Sequence, residues 1–349
     1  MEETSAALHL HTTPVVLKAS PSLIHGNLVA SQRRIAYAHQ SKVCFYAVDS
    51  ERCVDGPTTS KIISLHYVHI RKAGPKPMLI VNMANGTQMW NQDGTRMLYY
   101  LPVQHPQTSA TSTSAAQNAA VDIGKCHRGA AVCAFPQADH VIIGSSAGEL
   151  IIIRTDGDAF HSLATRKVAS ASPVMVVACS GEGSDQHVMS GHANGEIVWW
   201  RPEANGMYMQ LPGALQHAQD TPTCMKVLGN TLYCGFGTGH LRVYDAVRRE
   251  LKIEIAAHGR WINDIDVRHD GLVASVGEDT VLNVWRCPSC DSEVSLAHSA
   301  VVTESLLTGV AFTQRRGDTA DEGAFAVCVV AYDSEVLYFL SNRPWDVNI

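Results

Sequence analysis

Apolar residues along this chain gather in short β-branched runs bounded by Gly, Asn and Asp, such as Glu149-Leu-Ile-Ile-Ile-Arg154 and Gly195-Glu-Ile-Val-Trp-Trp200. The 3.6-residue apolar period of an amphipathic helix is almost absent, so the pattern predicts an all-β chain. Small or polar turns punctuate the runs at His39–Lys42, Ala84–Gly86, Ser146–Gly148, Ala193–Gly195, Gly237–Gly239, Glu278–Thr280 and Asp333–Ser334. Where these turns lie closest they recur about every 40–47 residues, the length of a four-stranded propeller blade. The seven turns predict seven blades.

The longer gaps call for inserts. Gln107 to Ala120 is a run of Ser, Thr, Ala, Gln and Asn, too polar to bury surface, and predicts a disordered insert near 105–122 between blades two and three. A second insert near 314–323 falls inside the last blade, where Arg316-Gly-Asp318 reads as a charged loop tip. The last strand, near Glu335–Ser341, leaves only Asn342–Ile349 behind it. The run Pro14–Ala19 is therefore predicted to supply the outer strand of blade seven, which closes the ring and removes two exposed sheet edges. On this reading residues 1–13 are a flexible segment and 14–349 a single propeller.

Length agrees with a repeat architecture, because 349 residues exceed the roughly 250–300 at which a single core stops growing. Hydrophobic residues at 46% supply enough apolar surface to fold. The net charge of −6, without a dense Lys/Arg run, gives no reason to approach nucleic acid or anionic lipid, so neither is expected as a partner. No apolar run approaches the length of a membrane span, and Met1–Pro14 lacks the features of a secretory leader, which predicts a cytoplasmic protein. Cysteines such as Cys133, Cys179, Cys234 and Cys328 sit inside apolar runs as small hydrophobes, in keeping with a reducing compartment. Cys287-Pro-Ser-Cys290 could be half of a zinc knuckle, but no second pair completes it. It reads as two reduced loop thiols, and neither metal nor cofactor is expected.

The segment Ala257-His-Gly-Arg-Trp-Ile-Asn-Asp-Ile-Asp-Val-Arg-His-Asp-Gly-Leu-Val-Ala-Ser-Val-Gly-Glu-Asp-Thr-Val-Leu-Asn-Val-Trp285 resembles a full repeat of the WD-repeat β-propeller family. The resemblance implies that His258, Ser275, Asp279 and Trp285 form a buried structural hydrogen-bond network, in which Asp accepts from His, Ser bridges and the indole N–H donates. Partial versions in register put Ser190, Asn194 and Trp200 in one blade, and Cys234, Thr238 and Tyr244 with Asp245 in the next. The last blade carries Asp333 and Phe339. Blade three, with Ile143, Ala147 and Ile153, is expected to pack by apolar contacts alone. Leu241-Arg-Val-Tyr-Asp245, Val276-Gly-Glu-Asp-Thr280, Phe325-Ala-Val327 and Ala331-Tyr-Asp333 are further similar to one subfamily, that of WD repeat-containing protein 54. That likeness implies a propeller without enzymatic activity.

Several motifs point elsewhere on a first reading. Gly144-Ser-Ser-Ala-Gly148 satisfies the nucleophile-elbow pattern, but a strand follows it where the elbow needs a helix. Gly235-Phe-Gly-Thr-Gly-His240 echoes a dinucleotide loop and likewise leads into a strand. His9-Leu-His11 and His66-Tyr-Val-His69 have no carboxylate or thiolate close by and read as surface or turn histidines. Asn85-Gly-Thr87 fits a glycosylation sequon and reads as a hairpin turn.

A propeller is a rigid disc, so its function resides on exposed side chains of one face. In WD repeats the favoured face carries the loop entering each innermost strand and the hairpin between the second and third strands. That register places Arg260, Trp261 and Asn263 in the entering loop of blade six, Glu278 before its turn, and Tyr332 at the equivalent place in blade seven. Aromatics and Arg anchor protein interfaces, so these five residues are the candidate site for a protein or peptide partner, with no catalytic residue among them. Trp261 could instead cover the neighbouring blade. Two alternatives stand beside the scaffold: an architectural subunit that self-associates through its circumference, and an enzyme using the central channel.

Overall fold

A computed structural model describes residues 11–31, 34–47, 50–56, 59–71, 76–103, 126–134, 138–168, 170–180, 186–203, 205–217, 220–313 and 324–343. The chain begins with β1 (His11–Val16) and then builds its blades in order. Blade one is β2 (Val29–Ser31), β3 (Arg34–His39), β4 (Lys42–Ala47) and β5 (Ser50–Asp55). Blade two is β6 (Ile62–Val68), β7 (Met78–Met83), β8 (Gly86–Asn91) and β9 (Met97–Pro102). Blade three is β10 (His127–Ala134), β11 (Asp139–Ser145), β12 (Glu149–Thr155) and β13 (Phe160–Lys167). Blade four holds β14 (Val174–Ser180), β15 (His187–His192), β16 (Glu196–Pro202) and an outer strand broken into β17 (Tyr208–Gln210) and β18 (Leu215–Gln216). Blade five is β19 (Pro222–Leu228), β20 (Thr231–Phe236), β21 (His240–Asp245) and β22 (Glu250–Ala256). Blade six is β23 (Ile262–Val267), β24 (Leu272–Gly277), β25 (Val281–Arg286) and β26 (Ser295–Val301). Blade seven is β27 (Leu307–Phe312), β28 (Ala326–Ala331) and β29 (Val336–Ser341), completed by β1.

Every pairing within a blade is antiparallel, and the seven sheets form a seven-bladed β-propeller, the fold the sequence predicts. β1 runs antiparallel to β29 from His11 opposite Ser341 to Val16 opposite Val336, so the N-terminal strand closes the ring. The strand starts earlier than Pro14 and ends earlier than Ala19. His11–Thr13 thus belong to the sheet and not to a flexible segment, because their backbone groups find partners on the free edge of β29. Residues 1–10 and the expected inserts near 105–122 and 314–323 lie outside the described residues. Among the described residues no helix is long and apolar enough to cross a membrane.

The apolar alternation of each strand is spent between blades. Seven buried clusters lie one at each blade boundary, for example Ile142, Leu150 and Trp200 between blades three and four, and Leu282, Val284 and Val327 between six and seven. The innermost strands line a central channel of about 540 Å³. In six blades the register of the innermost strand slips by one residue after its first pair, or its second in blade three, leaving Ile63, Gly129, Met175, Thr223, Asn263 and Thr308 unpaired at the same end of the ring. Such bulges re-aim side chains, and four of these residues line the channel.

One cysteine pair departs from the reduced-thiol reading. Cys44 and Cys53 face each other across β4 and β5 and form a disulfide, while the remaining eight cysteines are free. Cys287 and Cys290 are buried in the apolar cluster between blades five and six, where burial pushes the Cys287 thiol up to about 11. Among the described residues no three His, Cys, Asp or Glu side chains gather as metal ligands.

Candidate functional site

The site is framed by what fixes the entering loops. In blade six His258 Nδ1 lies 2.9 Å from Asp279 Oδ1, and its Nε2 lies 2.8 Å from Ser275 Oγ. Trp285 Nε1 donates to the same hydroxyl at 3.1 Å. Asp279 also accepts from the Gly259 and Val281 amides, which pins the entering loop to the hairpin. Burial alone would raise the Asp279 carboxyl; the bond to His258 and these amides more than offset it and hold it below the usual carboxylate range.

Blade four keeps the Ser–Trp contact, with Trp200 Nε1 donating to Ser190 Oγ at 2.9 Å. The imidazole comes from a place the repeat pattern does not predict. His192, on the same face of β15 as Ser190, puts Nε2 2.9 Å from Ser190 Oγ and Nδ1 2.9 Å from the Ser172 carbonyl of the entering loop. Asn194 does not join this network. It bonds Glu196 at 2.8 Å and shapes the turn, because a neutral histidine already satisfied by a carbonyl needs no acid from the hairpin. In blade five the polar residues find other partners: Thr238 donates to Asp220 at 2.6 Å and Tyr244 meets His217 at 2.8 Å, both partners lying ahead of β19. Ser146, the would-be nucleophile, lies in the β11–β12 hairpin with its Oγ accepting from the Cys126 amide at 2.8 Å.

Of the five expected partner contacts, the structure exposes Trp261 (41%) and Tyr332 (43%) at the same end of the ring, with Arg260 exposed next to Trp261 in sequence and Glu278 half-buried in the hairpin of blade six. The Glu278 amide donates to the Trp261 carbonyl at 3.0 Å, joining entering loop and hairpin. Trp261 both covers and projects. A Cβ on Gly237 of blade five would come within 3.1 Å of the indole, and His25 stacks on it with ring centroids 5.6 Å apart. Asn263 is corrected: it is 2% exposed and cannot meet a partner. Its side chain donates to the Leu307 carbonyl at 2.7 Å and bonds His25 Nδ1 at 2.8 Å, while its carbonyl accepts from the Gly26 amide. The bulge after Ile262 turns this residue inward, which strand alternation does not predict.

Sequence reading missed the segment Pro21–Leu28, which links β1 to β2. It crosses blade seven, with the Asn27 amide donating to Thr308 and Pro21 accepting from Asp333, and reaches Asn263 in blade six. It adds Leu23, 47% exposed, which lines a groove with Tyr332 and lies two residues before the His25 that stacks on Trp261. In sequence it mixes apolar and polar residues without a strand's alternation, so nothing local marks it. A groove runs beside it, lined by Leu23, His39, Lys61, Tyr332 and Asp333.

The channel beneath is charged but largely self-paired. Asp139 takes both the amide and the guanidinium of Arg71 at 2.7 Å. Lys226 pairs with Asp266 at 3.4 Å. Asp264, raised by burial to about 7, and Asp266 accept from the Val310 and Phe312 amides at 3.0 and 2.8 Å, stitching β23 to β27. Both carboxylates thus accept from backbone amides of the neighbouring innermost strand. His66, pushed by burial down to about 3, meets Ser64 at 3.1 Å.

Comparison with known proteins agrees with this geometry. The family described as WDR54 matches residues 52–341. WD repeat-containing protein 54 of Mus musculus is 23% identical over 274 residues, covering 75% of this chain and 74% of that protein. Its Homo sapiens counterpart is 21% identical over 253 residues, covering 69% and 70%. Among solved structures, a chain of the mitotic checkpoint complex superposes with a TM-score of 0.66 at 15% identity, over 99% of this chain and 96% of that one. A chain in the crystal structure of BBS1N in complex with ARL6DN does so with a TM-score of 0.68 at 13% identity, over 97% and 98%. At these identities the structures attest the fold alone.

Proposed function

The chain belongs to the WDR54 family, and from that premise we propose that it is a non-catalytic scaffold that holds a protein or peptide partner on the entering-loop face of blades six, seven and one. The observation that carries this reading is the exposure of Leu23, Trp261 and Tyr332, three large apolar side chains between 41% and 47% exposed at one end of the ring, on loops that are themselves pinned. A rigid aromatic on a fixed loop loses little entropy when a partner covers it, and a rim of charges orients that partner. Here the charges are Arg260 and Glu278. Both solved propellers just described are recorded in protein complexes, which supports a protein partner in general terms. We place the chain in the cytoplasm, with neither nucleic acid nor membrane as partner, on its net charge of −6 and its many buried free thiols.

A second reading has its own observation. Val301 and Leu296 on β26 and Val16 on β1 are 72%, 52% and 78% exposed, on the outer strands of adjacent blades, which supports an architectural subunit that self-associates through its circumference. The two readings separate in one experiment. Affinity capture of the tagged chain from its own cells should lose its partners with Trp261→Ala and Tyr332→Ala and keep them with His269→Ala at the other end of blade six. Partners retained by the first two variants, together with a dimer in light scattering that Val301→Asp dissociates, would favour the architectural subunit.

A further inference from the structure

Arg128 stands apart from every other charge in the channel. Arg71 has Asp139, Lys226 has Asp266, and Asp264 has two backbone amides. Arg128 is half-buried near the start of β10, one residue before the bulge at Gly129, and among the described residues its guanidinium has no carboxylate. Its one hydrogen-bond contact is with Met175 Sδ at 3.9 Å. A partly desolvated guanidinium without an anion is costly, so structures rarely leave one facing a cavity without use.

Its surroundings define what would fit. His25, Met175 and Thr223 line the same channel, and His25 carries the stacked Trp261 above it. Burial and the nearby Arg128 charge hold His25 below the usual histidine range, against the opposing effects of Asn263 and Glu278. At neutral pH Arg128 is thus the one unpaired cation among the described residues lining the channel, beside an aromatic and a thioether. Glu278 on the rim is the acidic group that acts on His25 from above, and Asp264 lies beneath the Gly26 turn.

We propose that Arg128 is the receptor for a single carboxylate, an acidic side chain of the docked partner that enters the channel mouth beside Trp261. The inference rests on the docking reading and names its anchor. One guanidinium matches one carboxylate in a bidentate pair, whereas a dianionic phosphate group calls for two free cations, and among the described residues that line the channel Arg128 is the one cation without a carboxylate. The partner segment is therefore an acidic residue next to an apolar one, the apolar residue lying on Trp261 and the acid reaching past His25.

The test follows the Gly129 amide resonance, next to Arg128 at the bulge, of the 15N-labelled full chain during titration with N-acetylglutamate α-amide, a probe with one side-chain carboxylate. A saturable shift is expected, absent with N-acetylglutamine amide, weakened about tenfold by Arg128→Lys and abolished by Arg128→Gln. The lysine variant keeps the charge and guards against misfolding. A flat titration of the folded wild type overturns the site, and inorganic phosphate binding more tightly than the glutamate probe overturns the choice of carboxylate. If the titration is flat while partner capture still depends on Trp261, the anchor fails and the docking face stands. If the titration saturates while capture ignores Trp261, the docking face is what fails.

Discussion

In blade six an imidazole from the entering loop, His258, joins Ser275 to a carboxylate, whereas in blade four an imidazole from the second strand, His192, joins Ser190 to the Ser172 carbonyl. Both arrangements finish on an indole N–H, from Trp285 and Trp200. Either way a strand is tied to the loop that enters the innermost strand. The chemistry differs at Nδ1, where one imidazole meets a carboxylate and the other a backbone carbonyl. The repeat thus conserves a mechanical link, and the residue that makes it can move.

The largest effect of that difference is expected in acid. Burial lowers His192, and it holds His127 and His140 in blade three down to about 4. Each is neutral in the fold and takes up a proton once unfolded, with an unfolded pKa of about 6.5. Their stabilisation is full above about pH 6.5 and is lost as pH falls toward the folded values, several kcal/mol in all for His127 and His140. Asp279 is depressed, so the blade-six contribution persists until pH drops below about 4. Hydrogen exchange at pH 5 against pH 7, corrected for intrinsic rates, should show blades three and four opening before blade six. Uniform loss of protection around the ring would break the comparison.

Removing the shared hydroxyl comes next. Ser190→Ala and Ser275→Ala each leave an indole N–H and an imidazole nitrogen without a partner, and each should lower stability by about 3 kcal/mol in denaturant unfolding. Asp279→Ala, whose site is partly solvated, should cost about 2 kcal/mol. Asn194→Ala touches only a turn and should cost less than about 1 kcal/mol. An Asn194 variant as damaging as the Ser190 variant would return Asn194 to the network.

How far the sequence could be read follows from where each contact is encoded. Blade six was legible because His258, Ser275, Asp279 and Trp285 fall at the repeat's own spacing. Blade four was legible at Ser190 and Trp200 but not at His192, since the pattern seeks the imidazole in the loop and the pair Ser190-Gly-His192 reads as ordinary strand. Ring closure was legible from strand counting, with its bounds displaced because Pro14 looks like a start and is paired mid-strand with Tyr338. Asn263 was placed in the right loop and given the wrong exposure by a bulge that only the neighbouring strand defines. Leu23 and His25 belong to a segment held by Asn263, Thr308 and Asp333, contacts far apart in sequence that no local pattern carries. The Cys44–Cys53 bond needed the β4–β5 register.

The face of blades six, seven and one is the account's central claim. Its most direct test places a photo-crosslinking amino acid at Leu23 in one protein and at His269 in another, each expressed in the chain's own cells and irradiated. Leu23 lines a groove with Tyr332 at the entering-loop end, and His269 lies in the turn at the opposite end of the ring, so the Leu23 protein should crosslink to a partner and the His269 protein should not. With Trp261→Ala added, which should weaken binding by about 2 kcal/mol or more, the Leu23 crosslink should fade. A partner captured only from His269, or a Leu23 crosslink indifferent to Trp261→Ala, would contradict the account.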